Sequence, residues 1–145
     1  MNDRVSKSAV YANQHFLVEP CLICPVAGYL IVSPIVPCIS LSELDYDALV
    51  SLGPTLAAAT RAIEVVVQPQ RVYCALFAEQ TKSVHFHLFP RSASILSEYA
   101  SAHPADPEIS GPRLLDWARR TFHLPTTDNY IETVEAIFRE LRRHV

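Results

Sequence analysis

The segment that most constrains this chain is Ser83-Val84-His85-Phe86-His87-Leu88-Phe89-Pro90-Arg91. Its apolar and histidine positions alternate with a period of two, and an extended strand sorts such a run into two faces. Ser83, His85, His87 and Phe89 share one face; Val84, Phe86 and Leu88 share the other. The apolar face requires a covering layer, and the histidine face is left toward a ligand, a partner or solvent. At roughly 3.4 Å rise per residue the two imidazoles stand about 7 Å apart. Histidines so placed suit proton transfer near neutral pH, attack on phosphorus, or metal ligation. The plain alternative is a pair that only hydrogen-bonds at a surface.

The rest of the chain supplies the layers. Residues 14–19 and 28–33 read as strands joined through a turn at 20–27, because β-branched and apolar runs lie there between Pro and Gly. Residues 71–78 read as a strand, and the short turn 79–82 leads into the histidine strand, so the two must be antiparallel. Ser40-Leu41-Ser42-Glu43 matches a capping box. It predicts a long helix over 40–66, kinked or broken at Gly53-Pro54. Residues 94–112, with Pro104, Pro107 and Pro112, read as loop. A short helix starts at Pro112. Another follows Asn129, where Ile131, Val134, Phe138 and Leu141 fall at helical spacing and Arg139, Arg142 and Arg143 load the last turn.

A chain of 145 residues, half of them hydrophobic, fits one domain and excludes intrinsic disorder. Residues 1–12 are a polar lead-in, residues 1–91 form the core, and 92–145 add a C-terminal loop and helices. The net charge of −3 gives no reason to expect nucleic acid or an anionic membrane as partner. The most apolar stretch, 21–39, is interrupted by Pro25, Pro34 and Pro37, so no membrane span is predicted. No apolar run follows Met1-Asn2-Asp3-Arg4, so no signal peptide is expected and the location is cytoplasmic. In that compartment Cys21, Cys24, Cys38 and Cys74 are thiols. Cys21-Leu22-Ile23-Cys24 suits zinc only with further ligands, and no second close Cys/His pair lies near it; buried thiols are the simpler reading. His15, His103, His123 and His144 are scattered singly and take no role. Trp117 reads as core, and Arg119-Arg120 and Arg142-Arg143 as solvated helix faces.

The run Val84 to Arg91 resembles the signature of the histidine triad (HIT) family, His-φ-His-φ-His-φ-φ, often closing in Pro-Arg. Pro25-Val26-Ala27-Gly28-Tyr29-Leu30-Ile31-Val32-Ser33-Pro34 looks like that family's Pro-Gly-His-φ-φ-φ-x-Pro strand. The capped helix and the strand-turn-strand come in the family's order, and the resemblance covers roughly residues 14–91. It implies an α+β fold, a HIT-like antiparallel sheet of about five strands with one long helix packed on it, plus a helical C-terminal extension. It implies a hydrolase or transferase at the α-phosphate of a nucleotide derivative, either a dinucleoside polyphosphate or a nucleoside phosphoramidate. The reaction would run through a nucleotidyl-histidine, with no cofactor and no metal.

By the same resemblance His85 is the nucleophile, His87 lines the phosphate site, and Ser83 stands where the family has its first histidine. Gln80, Thr81 and Lys82 are the candidate phosphate donors of the short loop, where Glu79 would repel phosphate. Cys21 stands where the family places an Asp or Asn against ribose, with Glu19 as a substitute. A homodimer is implied. Two other readings stay open: a non-catalytic nucleotide-binding or interaction module with a degenerate triad, and a metal site built on His85 and His87.

Overall fold

The computed structural model describes residues 9–125 and 128–145. Its strands are β1 (Tyr11–Ala12), β2 (Phe16–Pro20), β3 (Leu30–Pro34), β4 (Arg71–Ala75) and β5 (Phe86–Arg91). Its helices are α1 (Tyr46–Val67), α2 (Ala93–Ala102), α3 (Gly111–Thr121) and α4 (Tyr130–Arg143). The strands form one sheet in the order β1-β2-β3-β5-β4 with every pairing antiparallel. This is the α+β architecture expected from the sequence. The lead-in expected over 1–12 lies outside the described residues as far as residue 8; beyond that it is corrected, because Tyr11 and Ala12 pair with Val18 and Leu17 as the edge strand β1.

The period-two pattern sets the two faces. Phe16 and Val18 of β2, Leu30 and Val32 of β3, and Phe86 and Leu88 of β5 point to one side, where Ala58, Ala59, Ala62 and Ile63 of α1 cover them. Val84, just ahead of β5, joins that core. Tyr130, Val134, Ile137, Phe138 and Leu141 of α4 complete the same cluster, so the last helix belongs to the main core. On the opposite face Phe89 is buried in a second cluster with Tyr29, Cys21, Cys24, Ile95, Tyr99, Leu114, Leu115 and Ala118. Helices α2 and α3 thus cover one end of the histidine face only.

Three local expectations are corrected. Ser40 and Glu43 do cap, but what they cap is a single 3-10 turn, Leu41–Glu43. Helix α1 begins after Asp45, whose carboxylate accepts from the Ala48 N–H at 2.8 Å. Gly53-Pro54 does not divide the helix, which is one element of 22 residues with Pro54 inside it. Pro54 and Val50 both lie on the exposed side. The Val50 carbonyl that loses its N–H partner therefore faces water, and the buried stripe from Ala48 to Ile63 carries past it. Residues 94–102 are helix α2 and not loop. Ser92 accepts from the Ile95 N–H at 3.3 Å, Ile95 and Tyr99 bury one side, and the prolines start only at Pro104.

By length and apolar composition α1 is a helix that could cross a membrane. Its Ala48, Thr55, Ala58, Ala59, Ala62 and Ile63 are buried within the fold, while Tyr46, Leu49, Val50 and Val65 are exposed.

Gly28 closes the β2–β3 turn at a φ of 95°. A Cβ there would stand 3.0 Å from Val67 and 3.2 Å from Pro90, so only glycine lets this turn lie against the end of α1. The next residue is Tyr29, which enters the site described below.

Candidate active site

Sheet register lines up Glu19, Ile31, His87 and Ala75 across four neighbouring strands. With strands about 4.8 Å apart, Glu19 sits roughly two strand spacings from His87 on the same face. That face grades from closed to open: Phe89 on β5 is fully buried, His87 on β5 is 6% exposed, and His85, which precedes the strand, is half-buried at the mouth. The open end is a cleft of about 600 Å³, the size of a small-molecule site. Its floor carries Glu19, Ile31, His85 and His87; the 77–81 loop, the 20–23 turn and helix α3 form its walls. Ala78 takes left-handed backbone, φ 53°, as the loop turns along the cleft.

Helix α3 presents Pro112, Leu115, Asp116 and Arg119 to the cleft, an i, i+3, i+4, i+7 stripe. Two anchors hold it there. Arg91, from the Pro-Arg tail of β5, donates to the Tyr73 hydroxyl at 2.7 Å and to the Ile109 carbonyl at 3.1 Å, fixing the approach to α3. The Cys24 thiol donates to the Ala118 carbonyl at 3.4 Å.

The two histidines have different partners. His85 Nδ1 lies 2.8 Å from the Ser83 carbonyl oxygen, which can only accept, so Nδ1 carries a proton and, when the ring is neutral, the lone pair lies on Nε2. His87 Nδ1 lies 2.6 Å from the Tyr29 hydroxyl, and Arg119 donates to that same oxygen at 2.6 Å. The two imidazole centroids are 4.9 Å apart. Burial, then the Arg119 guanidinium, then the His85 ring push the His87 imidazole down to about 4. Burial pushes the Cys21 thiol up, and pushes Cys24 up to about 12 with the help of Cys21. Both therefore stay protonated at neutral pH and pack as small apolar groups.

The His87 shift has a consequence for stability. In the unfolded chain the ring titrates near 6.5. Between that value and about 4 the unfolded state binds more protons, so the contribution is full above pH 6.5 and is lost as pH falls toward 4. The full loss is on the order of 3 kcal/mol. Urea midpoints at pH 7 and pH 4.5 are expected to fall further for the wild type than for His87→Gln. Equal falls would contradict a buried neutral His87.

Of the residues singled out from sequence, His85, His87, Glu19, Cys21, Gln80 and Thr81 line the one cleft. Ser83 lines an adjoining depression with Glu19, Thr81 and His85, and what it gives His85 is its backbone carbonyl. Lys82 is exposed and does not line the cleft. Arg119 is corrected from a solvated side chain to a half-buried one bonded to Tyr29, whereas Arg120 is exposed and pairs with Asp116 at 3.1 Å. Tyr29, Phe77, Asp116 and Arg119 were not picked out from sequence. The α3 stripe was readable in the spacing of Pro112, Leu115, Asp116 and Arg119, but nothing local says which layer it meets. Among the described residues no group of three or more His, Cys, Asp or Glu is placed to hold a metal.

No protein-family model matches the sequence, and no curated protein matches it. Solved structures do match the fold. A hypothetical histidine triad nucleotide-binding protein from Sulfolobus tokodaii has a TM-score of 0.62 at 14% identity, covering 92% of this chain and 82% of that one. A zinc-bound histidine triad family protein from Mycobacterium smegmatis has a TM-score of 0.61 at 12% identity, with coverage of 95% and 86%. A HIT-like protein involved in cell-cycle regulation from Bartonella henselae, solved with an unknown ligand, has a TM-score of 0.57 at 17% identity, with coverage of 94% and 84%. The chain therefore has the HIT-like fold, and the likeness extends past residue 91 into the C-terminal helices.

Proposed function

We propose that the chain is a nucleotide hydrolase or transferase that acts at an α-phosphate with His85 as nucleophile. The observation that carries this reading is the 2.8 Å bond from His85 Nδ1 to the Ser83 carbonyl, which leaves Nε2 as a bare lone pair at the cleft. In the first step Nε2 forms a bond to phosphorus. The leaving group departs with its electron pair and takes a proton from water. The product is a nucleotidyl-histidine. In the second step a water oxygen bonds to phosphorus, the P–N bond returns its pair to His85, and the water's proton passes to solvent. Splitting the displacement this way replaces one hard step by two easier ones. Donors on the phosphoryl oxygens would come from His87, Gln80 and Thr81.

The charged residues of the cleft wall narrow the substrate class. Glu19 and Glu79 line the cleft with one basic side chain, Arg119, while the third lining carboxylate, Asp116, is paired with Arg120. A polyphosphate tail adds anionic charge to a wall already rich in carboxylates, whereas an amine leaving group does not. The favoured substrate is a nucleoside phosphoramidate. Its kcat/KM is expected to exceed that of a diadenosine polyphosphate by on the order of tenfold. Faster turnover of the polyphosphate would overturn this preference.

The second reading, a nucleotide-binding module without turnover, is favoured by one observation: Ser83 replaces the first histidine and its side chain lies outside the main cleft. Wild-type protein that binds AMP and hydrolyses none of these compounds would select it. The reading also includes a homodimer, supported by exposed apolar side chains at Val36, Ile39, Tyr46 and Val50. It includes a reducing, cytoplasmic setting, supported by four free cysteines.

A further inference from the structure

We propose that Arg119 is a positioning residue: acting through the Tyr29 hydroxyl, it fixes the His87 ring with Nδ1 unprotonated and accepting, and Nε2–H offered to the cleft. For its bearing on turnover this rests on the reaction proposed above; the ring state itself stands on geometry.

The chain of bonds has one direction. A guanidinium only donates, so at 2.6 Å the Tyr29 oxygen accepts from Arg119. The phenol keeps its own proton and needs an acceptor for it, because Tyr29 is 1% exposed. His87 Nδ1, at 2.6 Å, is the strong acceptor within reach; the neighbouring Cys21 thiol is a weak one. Tyr29 therefore donates to Nδ1, and the ring's proton sits on Nε2. With Nδ1 so occupied, Nε2 is the ring nitrogen that the cleft can meet.

The neighbouring ring is the opposite tautomer. His85 offers a lone pair and His87 an N–H, with centroids 4.9 Å apart. A phosphorus atom facing His85 would then have a neutral donor beside it for one of its oxygens. The groups facing His87 are Tyr29 ahead of β3, Ile31 on β3, Ala75 on β4, Phe77 from the following loop, His85 ahead of β5, and Arg119 on α3. Arg119 brings a fixed positive charge that opposes a cation at His87, and a proton added to His85 would oppose it further. The donor state therefore persists into mild acid. A residue of the C-terminal third, remote in sequence, thus sets the protonation pattern of the histidine strand.

The test is NMR of the histidine ring nitrogens in ¹⁵N-labelled full-length protein, for the wild type, Tyr29→Phe, Arg119→Gln and Arg119→Lys. Tyr29→Phe keeps the ring that packs edge-on against Phe89. The wild type is expected to show His87 as a single tautomer protonated on Nε2. Tyr29→Phe is expected to give a mixture of tautomers. Arg119→Gln is expected to raise the His87 titration midpoint by roughly one unit. Arg119→Lys, which keeps a donating cation, is expected to lie closer to the wild type. A wild-type proton on Nδ1, or an unchanged tautomer and midpoint in both Tyr29→Phe and Arg119→Gln, would overturn the inference. If the ring state depends on Tyr29 and Arg119 but no nucleotide derivative is turned over, the positioning stands and the reaction fails. If turnover is found with a ring state indifferent to both residues, the reaction stands and the positioning fails.

Discussion

Replacing His85 by alanine is expected to abolish turnover of an adenosine phosphoramidate, lowering kcat by several orders of magnitude. The imidazole supplies the atom that bonds to phosphorus, so its removal closes the covalent route and does not merely weaken it. The fold should survive. His85 is half-buried at the cleft mouth, and among the described residues its one hydrogen bond goes to a carbonyl that solvent can serve. A stability change within about 1 kcal/mol is expected. His87→Ala should behave the other way round. It removes stabilisation from the phosphoryl group and not the attacking atom, so the rate loss is smaller. It also opens a gap beside Tyr29 and Phe77, so the stability loss is larger. Full activity in His85→Ala would assign the nucleophile elsewhere.

Phe138→Ala is expected to destabilise the whole chain by about 3–5 kcal/mol, although it lies far from the histidine strand in sequence. Phe138 is fully buried on α4, within the cluster that α1 and the sheet share. Helix α4 is part of the core, so the cavity is felt by the cooperative unit and not by a local appendage. The expected reading is one urea transition, displaced to lower concentration, with far-UV and fluorescence signals coincident. A separate early transition confined to helix signal, with the main midpoint unmoved, would show that α4 docks independently of the sheet.

What could be read from sequence followed from periods that survive folding. Alternation over residues 83–89 assigns the two faces, and the structure buries Val84, Phe86 and Leu88 in the core with α1 and places His87 on the other side, but β5 itself starts only at Phe86, so Ser83, Val84 and His85 precede the strand expected to hold them. The spacing of Val134, Phe138 and Leu141 likewise marks the buried stripe of α4. Other features lacked a local signal. Arg119 and Tyr29 are 90 positions apart, and no pattern around either points to the other. The atom of Ser83 that meets His85 is a backbone carbonyl, which every residue type carries, so side-chain identity there drew attention to the hydroxyl instead. Helix α2 was obscured by Ser94, Ser97 and Ser101, which are modest helix formers, although Ser92 caps it and Ile95 and Tyr99 anchor it.

The most direct test of His85 as a nucleophile is to catch the bond it is expected to form. Wild-type protein is mixed with an adenosine phosphoramidate, denatured under alkaline conditions that preserve the P–N bond, digested, and analysed by peptide mass spectrometry. The expected result is an adenylyl group on the peptide spanning Ser83 to Arg91, localised to His85 and absent from His85→Ala. Steady turnover with that peptide unmodified, or with the adenylyl group on another residue, would contradict the assignment.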